Sequence, residues 1–151
     1  MNLVWHDWQV GDLNVNALHD ILALRNQVFI VEQRCPYQDI DGRDLADGNR
    51  HIAAYRHGGI VAYARLLAPC PGNDAVTIGR VIVAPAARGR QLGHLLMEHA
   101  LTACARHWPQ KPLCLSAQAH LQNFYAGFGF VATGDVYDED GIPHIAMRRP
   151  H

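Results

Sequence analysis

The sequence predicts an α/β (α+β) chain built on a mixed, mostly antiparallel sheet of about seven strands. Three observations carry this. Short apolar runs separated by tight turns mark strands that pair antiparallel with their neighbours. One strand–helix–strand unit, Val76 to Ala117, must set its two strands parallel through a right-handed crossover. Apolar residues also recur three and four apart in separate segments, which is helical spacing. The predicted order is β-α-β-β-β-α-β-α-β-β.

The chain has 151 residues, the length of one domain over 1–151. A domain of this size hides about 68–70% of its unfolded surface. Hydrophobic residues make up 49% and charged residues 18%, an ordinary globular composition. A net charge of −1 argues against nucleic acid or an anionic membrane as partner. No apolar run reaches the ~18 residues of a membrane span. The start, MNLVWHDWQV, lacks the basic and apolar regions of a signal peptide, so a cytoplasmic location is expected. Cys35, Cys70, Cys104 and Cys114 form no C-x-x-C pair and are expected to be free thiols. No metal site is expected: His94 and His99 are five apart, and H-E-x-x-H is absent.

Element by element, Leu3 to Val10 reads as a first strand. Asn14 or Asn16 then caps a helix carrying Leu18, Ile21, Leu22, Val28 and Phe29, which runs to about Glu32. "CPYQDIDGRDLADGN" is polar and rich in turn residues. Arg50–Arg56 and Ile60–Leu67 form a hairpin about His57-Gly58-Gly59. Val76–Ala84 is a strand, and Gly79 inside it marks a bulge or a close approach. A helix from about Arg88 to His107 buries Leu92, Leu95, Leu96, Ala100, Ala103 and Cys104, and Pro109 ends it. Leu113–Ala117 is a strand and His120–Phe128 a short helix. Phe130–Tyr137 and Ile142–Arg148 close the chain as a hairpin about Asp140-Gly141.

The stretch "VIVAPAARGRQLGHLL" joins a β-branched run to a helix through arginine and glycine. A helix start presents free N–H groups and the positive end of its dipole, a site for phosphate. Gly89 admits a ligand because no Cβ intervenes, Gly93 keeps the first turn bare, and Arg88 and Arg90 add charge. Plain turn chemistry with solvated charge is the competing reading. After the partner strand comes "SAQAHLQNFYAGFGF", an aromatic cluster holding Tyr125.

Together these stretches resemble the GNAT superfamily of acetyl-CoA-dependent N-acetyltransferases. "RGRQLG" resembles that family's pyrophosphate loop: Arg or Gln, two residues, Gly, one residue, then Gly or Ala. "FYAGFGF" resembles its F-Y-x-x-x-G-F signature. "VFIVEQRCPYQDIDG" and "AQAHLQNFY" look like the ElaA-like bacterial subgroup. The resemblance implies a parallel central pair that splays at one end, helices on both faces of the sheet, and acetyl-CoA as co-substrate. Val81, Ile82 and Val83 would then offer main-chain groups to pantetheine, one as an oxyanion donor. The amides from Gly89 through Arg90, Gln91, Leu92 and Gly93 to His94 would hold the diphosphate, with Arg88 beside them. Gln91 departs from the family's glycine. Gln118 stands where many members carry a cofactor-contacting asparagine.

Tyr125 aligns with the family's general acid, which protonates the departing thiolate; a structural tyrosine is the alternative. The strand before it, "LCLSAQ", lacks the glutamate many relatives use as base. Glu32 is the first candidate for that role, the alternatives being a surface glutamate or an ion pair with Arg25. Asp39 and Asp41 are candidates to attract a cationic amine, or else make Asx turns before Gly42. His51 and His144 lie on strands that could reach the expected acceptor cleft, with structural roles as the alternative. The implied reaction is direct acetyl transfer to a primary amine, a small molecule or an exposed amino group, with a homodimer left open. A non-catalytic acyl-CoA-binding or sensing module is the rival. A nucleotide-binding α/β domain would need a glycine-rich turn after its first strand, where this chain has "GDLNVN".

Overall fold

A computed structural model describes residues 2–150. Strand β1 (Val4–Gln9) is followed by α1 (Val15–Arg25), then the hairpin of β2 (Arg50–Arg56) and β3 (Gly59–Leu67). Next come β4 (Val76–Val83), α2 (Leu92–His107), β5 (Leu113–Gln118) and α3 (Gln122–Ala126). The short strands β6 (Val131–Ala132) and β7 (Tyr137–Glu139) precede β8 (Ile142–Arg149). The sheet order is β1-β2-β3-β4-β5-β8-β6, with β7 also on β8. Every pairing is antiparallel except β4 with β5.

Among the described residues eight strands stand where about seven were expected. The single strand read over Phe130–Tyr137 is two pieces, each pairing a different stretch of β8. Helix α2 begins at Leu92 rather than Arg88, because Arg88–Gln91 stay outside the helix. Asn14 is the residue that caps α1, its Oδ1 accepting from the Ala17 amide at 2.8 Å. Beyond Arg25 the helix widens over Asn26–Glu32, where Gln33 N–H donates to Val28 O and Cys35 N–H to Ile30 O.

Helices cover both faces. On one, Leu92, Leu96, Met97 and Ala100 of α2 pack against Ile52, Ala62, Ala64, Ile78 and Leu115. On the other, Ile21 and Leu24 of α1 and Val28 pack against Ala53, Tyr63 and Ile82. Successive strand residues alternate faces, so Ala53 and Tyr63 oppose Ile52 and Ala62 as expected. Ile78 and Ile82 share parity yet serve opposite faces. The cause is a bulge: Tyr63 pairs with Ile82 and Arg65 with Gly79, one extra residue on β4. Arg80, at φ 52°, takes the turn beside Gly79. The glycine inside this strand therefore marks a bulge, as its position suggested.

Parallel pairing of β4 with β5 is confined to Val76–Leu113 and Thr77–Cys114. Past those pairs the strands part, while β5 keeps its ladder with β8 as far as Gln118–His144. From Ile78 onward the edge of β4 toward β5 makes no ladder bond. That gap positions the site.

Candidate active site

The loop from β4 to α2 presents a row of bare amides. The first bond of α2 is Leu95 N–H to Gln91 O at 3.2 Å. The N–H groups of Gly89, Arg90, Gln91, Leu92, Gly93 and His94 find no protein acceptor among the described residues. Gln91 caps this start in the left-handed conformation, φ 57° and ψ 21°. A backbone of this shape explains why a glycine suits the position, and here glutamine adopts it. A Cβ on Gly89 would meet nothing of the protein within 4 Å, so the space over that amide is open. Gly93 faces Phe124 Cζ and Val83 Cγ2 at 3.7 and 3.8 Å from where a Cβ would stand. Val83, Arg88, Gly89, Gly93, His94 and Phe124 line a concavity of about 540 Å³. These donors fit a diphosphate: unpaired N–H groups converge at a helix start, beside an arginine.

Arg88 is engaged. Its Nη1 and Nη2 donate to Glu32 Oε2 and Oε1 at 2.8 and 2.7 Å, and its Nε to Val83 O at 3.2 Å. The guanidinium holds the Glu32 carboxyl below its ordinary range. Glu32, the first candidate for the base, is thus held in an ion pair, with Arg88 and not with the alternative partner Arg25.

A second cavity, about 470 Å³, opens between the parted strands. Val81 of β4, Gln118 of β5, Tyr125 of α3 and His144 of β8 all line it. Tyr125 is buried, its hydroxyl makes no hydrogen bond within the described protein, and burial pushes its phenol up to about 12. Phe124 and Phe130 lie edge-on to its ring. His144 donates from Nδ1 to Ile142 O at 2.8 Å, while its Nε2 lies 3.3 Å from Glu139 Oε2. Ile82 sends its side chain toward α1, and Arg90 lines neither cavity.

The acidic loop after α1 is held by arginines. Arg25, fully buried, donates to Asp39 Oδ2 and Asp44 Oδ1 at 2.9 and 2.5 Å. Arg65, 3% exposed, grips both oxygens of Asp41 at 2.9 Å and reaches Asp44 at 3.0 Å. Arg80 Nε stands 2.8 Å from Asp39 Oδ1, and its Nη2 donates to Asp39 O. Burial raises the Asp41 carboxyl, and the Arg65 fork more than reverses this, bringing it to about 2. Asp41 borders the second cavity with this charge neutralised, whereas Asp39 sits inside the network and does not line the cavity.

His51 is wholly buried. Its Nε2 donates to Asp44 O at 2.8 Å and its Nδ1 accepts from Tyr63 OH at 2.6 Å; burial pushes it below its ordinary value. It lines neither cavity and braces the acidic loop instead. Sequence reasoning passed over Arg65, Arg80, Ser116 and Glu139, which also border the second cavity. The bulge glycine at 79 was the one available signal for Arg80.

A bulged strand parting from its parallel neighbour, with a bare-amide loop leading into the crossover helix, defines a GNAT domain. The acetyltransferase (GNAT) domain model matches residues 17–150, and the chain belongs to that family. Within it, the chain is 53% identical to Protein ElaA of Escherichia coli K12 over 145 residues, covering 96% of this chain and 95% of that one. The crystal structure of Escherichia coli ElaA superposes with TM-score 0.93 at 52% identity, covering 97% and 99% of the two chains. An acyl-CoA N-acyltransferase from Pseudomonas aeruginosa superposes with TM-score 0.94 at 51% identity, covering 98% and 99%.

Proposed function

We propose that this protein is an acetyl-CoA-dependent N-acetyltransferase that moves the acetyl group directly to a primary amine. One observation carries the reading: six unpaired amides at the start of α2 stand next to the gap between β4 and β5, which Tyr125 lines. Family membership and the likeness to an acyl-CoA N-acyltransferase at 51% identity support it.

Acetyl-CoA supplies an activated acyl carbon on a thiolate leaving group. The amides of Gly89–His94 hold a diphosphate, and Arg88 turns to it from Glu32. Val81–Val83 offer main-chain groups along the open edge of β4, where an extended chain adds like a strand. An N–H of that edge is suited to stabilise charge on the carbonyl oxygen. Tyr125, kept protonated by its burial, gives its proton to the sulfur. Among the described residues none of the four free cysteines is paired with a base that would activate it for a covalent acyl-enzyme, which favours direct transfer. Free thiols also agree with a reducing, cytoplasmic setting.

Thiol release from acetyl-CoA, followed with a panel of primary amines, tests the reading. Amine-dependent turnover is expected. Coenzyme A binding without turnover for any amine would leave only the binding-module rival, to which the missing carboxylate in β5 lends its weight.

A further inference from the structure

We infer that His144, backed by Glu139, is the group that takes the proton from the incoming ammonium. The inference rests on the acetyltransferase reading and names the proton acceptor that reading lacks.

Glu32 is held at both oxygens by Arg88 and lines neither cavity. Among the groups that share the cavity with Tyr125, Asp41 is locked to Arg65 and carries a strongly lowered carboxyl, a poor proton acceptor. Cys35 and Tyr37 donate hydrogen bonds to Asp140 O and to Asp39, and the carboxylates of Glu139 and Asp140 stand at the exposed hairpin. His144 is the enclosed group whose surroundings prepare an acceptor nitrogen. Its side chain is nine-tenths buried, so its orientation is set by packing. Nδ1 donates to Ile142 O, because a carbonyl can only accept. In the neutral ring that bond leaves the lone pair on Nε2. Nε2 is the atom beside Glu139 Oε2, so a proton arriving there meets a carboxylate at once. Glu139 is half-exposed and so able to draw a cation from solvent. Tyr137 is the other titratable group packed on the ring; its hydroxyl hydrogen-bonds Ser116. The other ionisable groups lining the cavity among the described residues are Asp140 at the hairpin tip, Cys35 hydrogen-bonded to its carbonyl, Tyr37, Tyr125, and Arg43, Arg65 and Arg80 beside Asp41.

The proton balance closes. The ammonium passes one proton to His144 Nε2 and keeps the freed lone pair. That pair forms the C–N bond as the C–S bond breaks. Sulfur leaves with the Tyr125 proton, and the phenol is refilled by the proton nitrogen sheds on becoming an amide. His144 returns its proton to water.

The experiment joins two readouts. Long-range ¹H–¹⁵N spectra of histidine-labelled protein, with His144→Gln for assignment, report the neutral tautomer of His144 without any turnover. Acetyl transfer to benzylamine and ethanolamine is then followed in wild type, His144→Gln and the surface variant Glu139→Gln. Expected are the Nδ1–H tautomer and a kcat/KM about a hundredfold lower in His144→Gln at neutral pH, with unchanged coenzyme A affinity. That deficit should narrow as the pH approaches the amine's own pKa, since the acceptor then arrives neutral; a purely structural lesion would not narrow. Glu139→Gln should show a smaller deficit of the same kind. A neutral Nε2–H tautomer overturns the inference, as does kcat/KM within twofold of wild type in His144→Gln; both leave the acetyltransferase reading standing. A wild type that binds coenzyme A yet acetylates neither amine takes both down.

Discussion

Arg88 and Glu32, 56 positions apart, meet in a two-pronged ion pair at 2.7 and 2.8 Å beside the anion loop. A carboxylate therefore occupies the arginine fork that a phosphate would use. Removing it should free the fork. Glu32→Gln is expected to tighten coenzyme A binding about threefold at low salt, with the gain fading as salt rises. Calorimetry at two ionic strengths measures this. Weaker binding in the variant would show that Glu32 serves the coenzyme rather than competing with it.

Tyr125→Phe removes only a hydroxyl that bonds no protein group, so the fold should be indifferent to it. Turnover is expected to fall at least about tenfold, with coenzyme A affinity within twofold of wild type. Steady-state thiol release and calorimetry separate the two. An unchanged kcat would remove Tyr125 from proton transfer.

Gln91 tests the backbone at the helix start. Glycine adopts φ 57° freely, and a β-branched residue does so only with strain. Gln91→Gly should leave stability within about 1 kcal/mol of wild type and coenzyme A affinity within threefold. Gln91→Val should cost more than about 1 kcal/mol and weaken coenzyme A binding at least tenfold. Equal behaviour of the two variants would mean that the left-handed turn does not matter to the site.

The arginine–aspartate network should set acid stability. The folded Asp41 carboxyl lies at about 2 against 3.8 for the free group. A depressed folded value stabilises above the unfolded one, so ~2 kcal/mol should be present at pH 5–7 and lost between about pH 4 and pH 2. Asp41→Asn should lower Tm at pH 6 and flatten that acid limb. Arg25→Met, which takes from Asp39 and Asp44 one of the two arginines each holds, should cost about 3 kcal/mol at pH 7. Thermal melts across pH check both. Wild-type and Asp41→Asn curves that stay parallel from pH 6 to pH 2 would contradict the assignment.

Local chemistry made much of this fold legible. A β-branched run, a turn and an apolar stripe identified β4, α2 and β5, because strand and helix periods differ within a few residues. Asn14 and Gly79 spoke for a cap and a bulge by the same local logic. What stayed hidden was non-local. Arg25 reads as the polar end of a helix, yet folding buries it against carboxylates 14 and 19 residues on. Arg65 and Arg80 sit inside apolar strand patterns; Arg65 follows Tyr63 onto the α1 face by alternation, and the bulge turns Arg80 toward the acidic loop. The sequence marked Arg88 as a candidate for phosphate, but its partner Glu32 was not legible, since nothing local joins the end of α1 to a loop beyond β4. His144 was legible as a strand histidine able to reach the acceptor cleft, but its partner was not; the short β7 that brings Glu139 against it is too brief for any periodic signal.

The central claim is that the start of α2 binds the diphosphate of a coenzyme. Titrating coenzyme A into the folded protein in a calorimeter tests it most directly. Micromolar binding is expected in wild type, with at least a tenfold loss in Gln91→Val. Absence of any heat at millimolar coenzyme A would contradict the account.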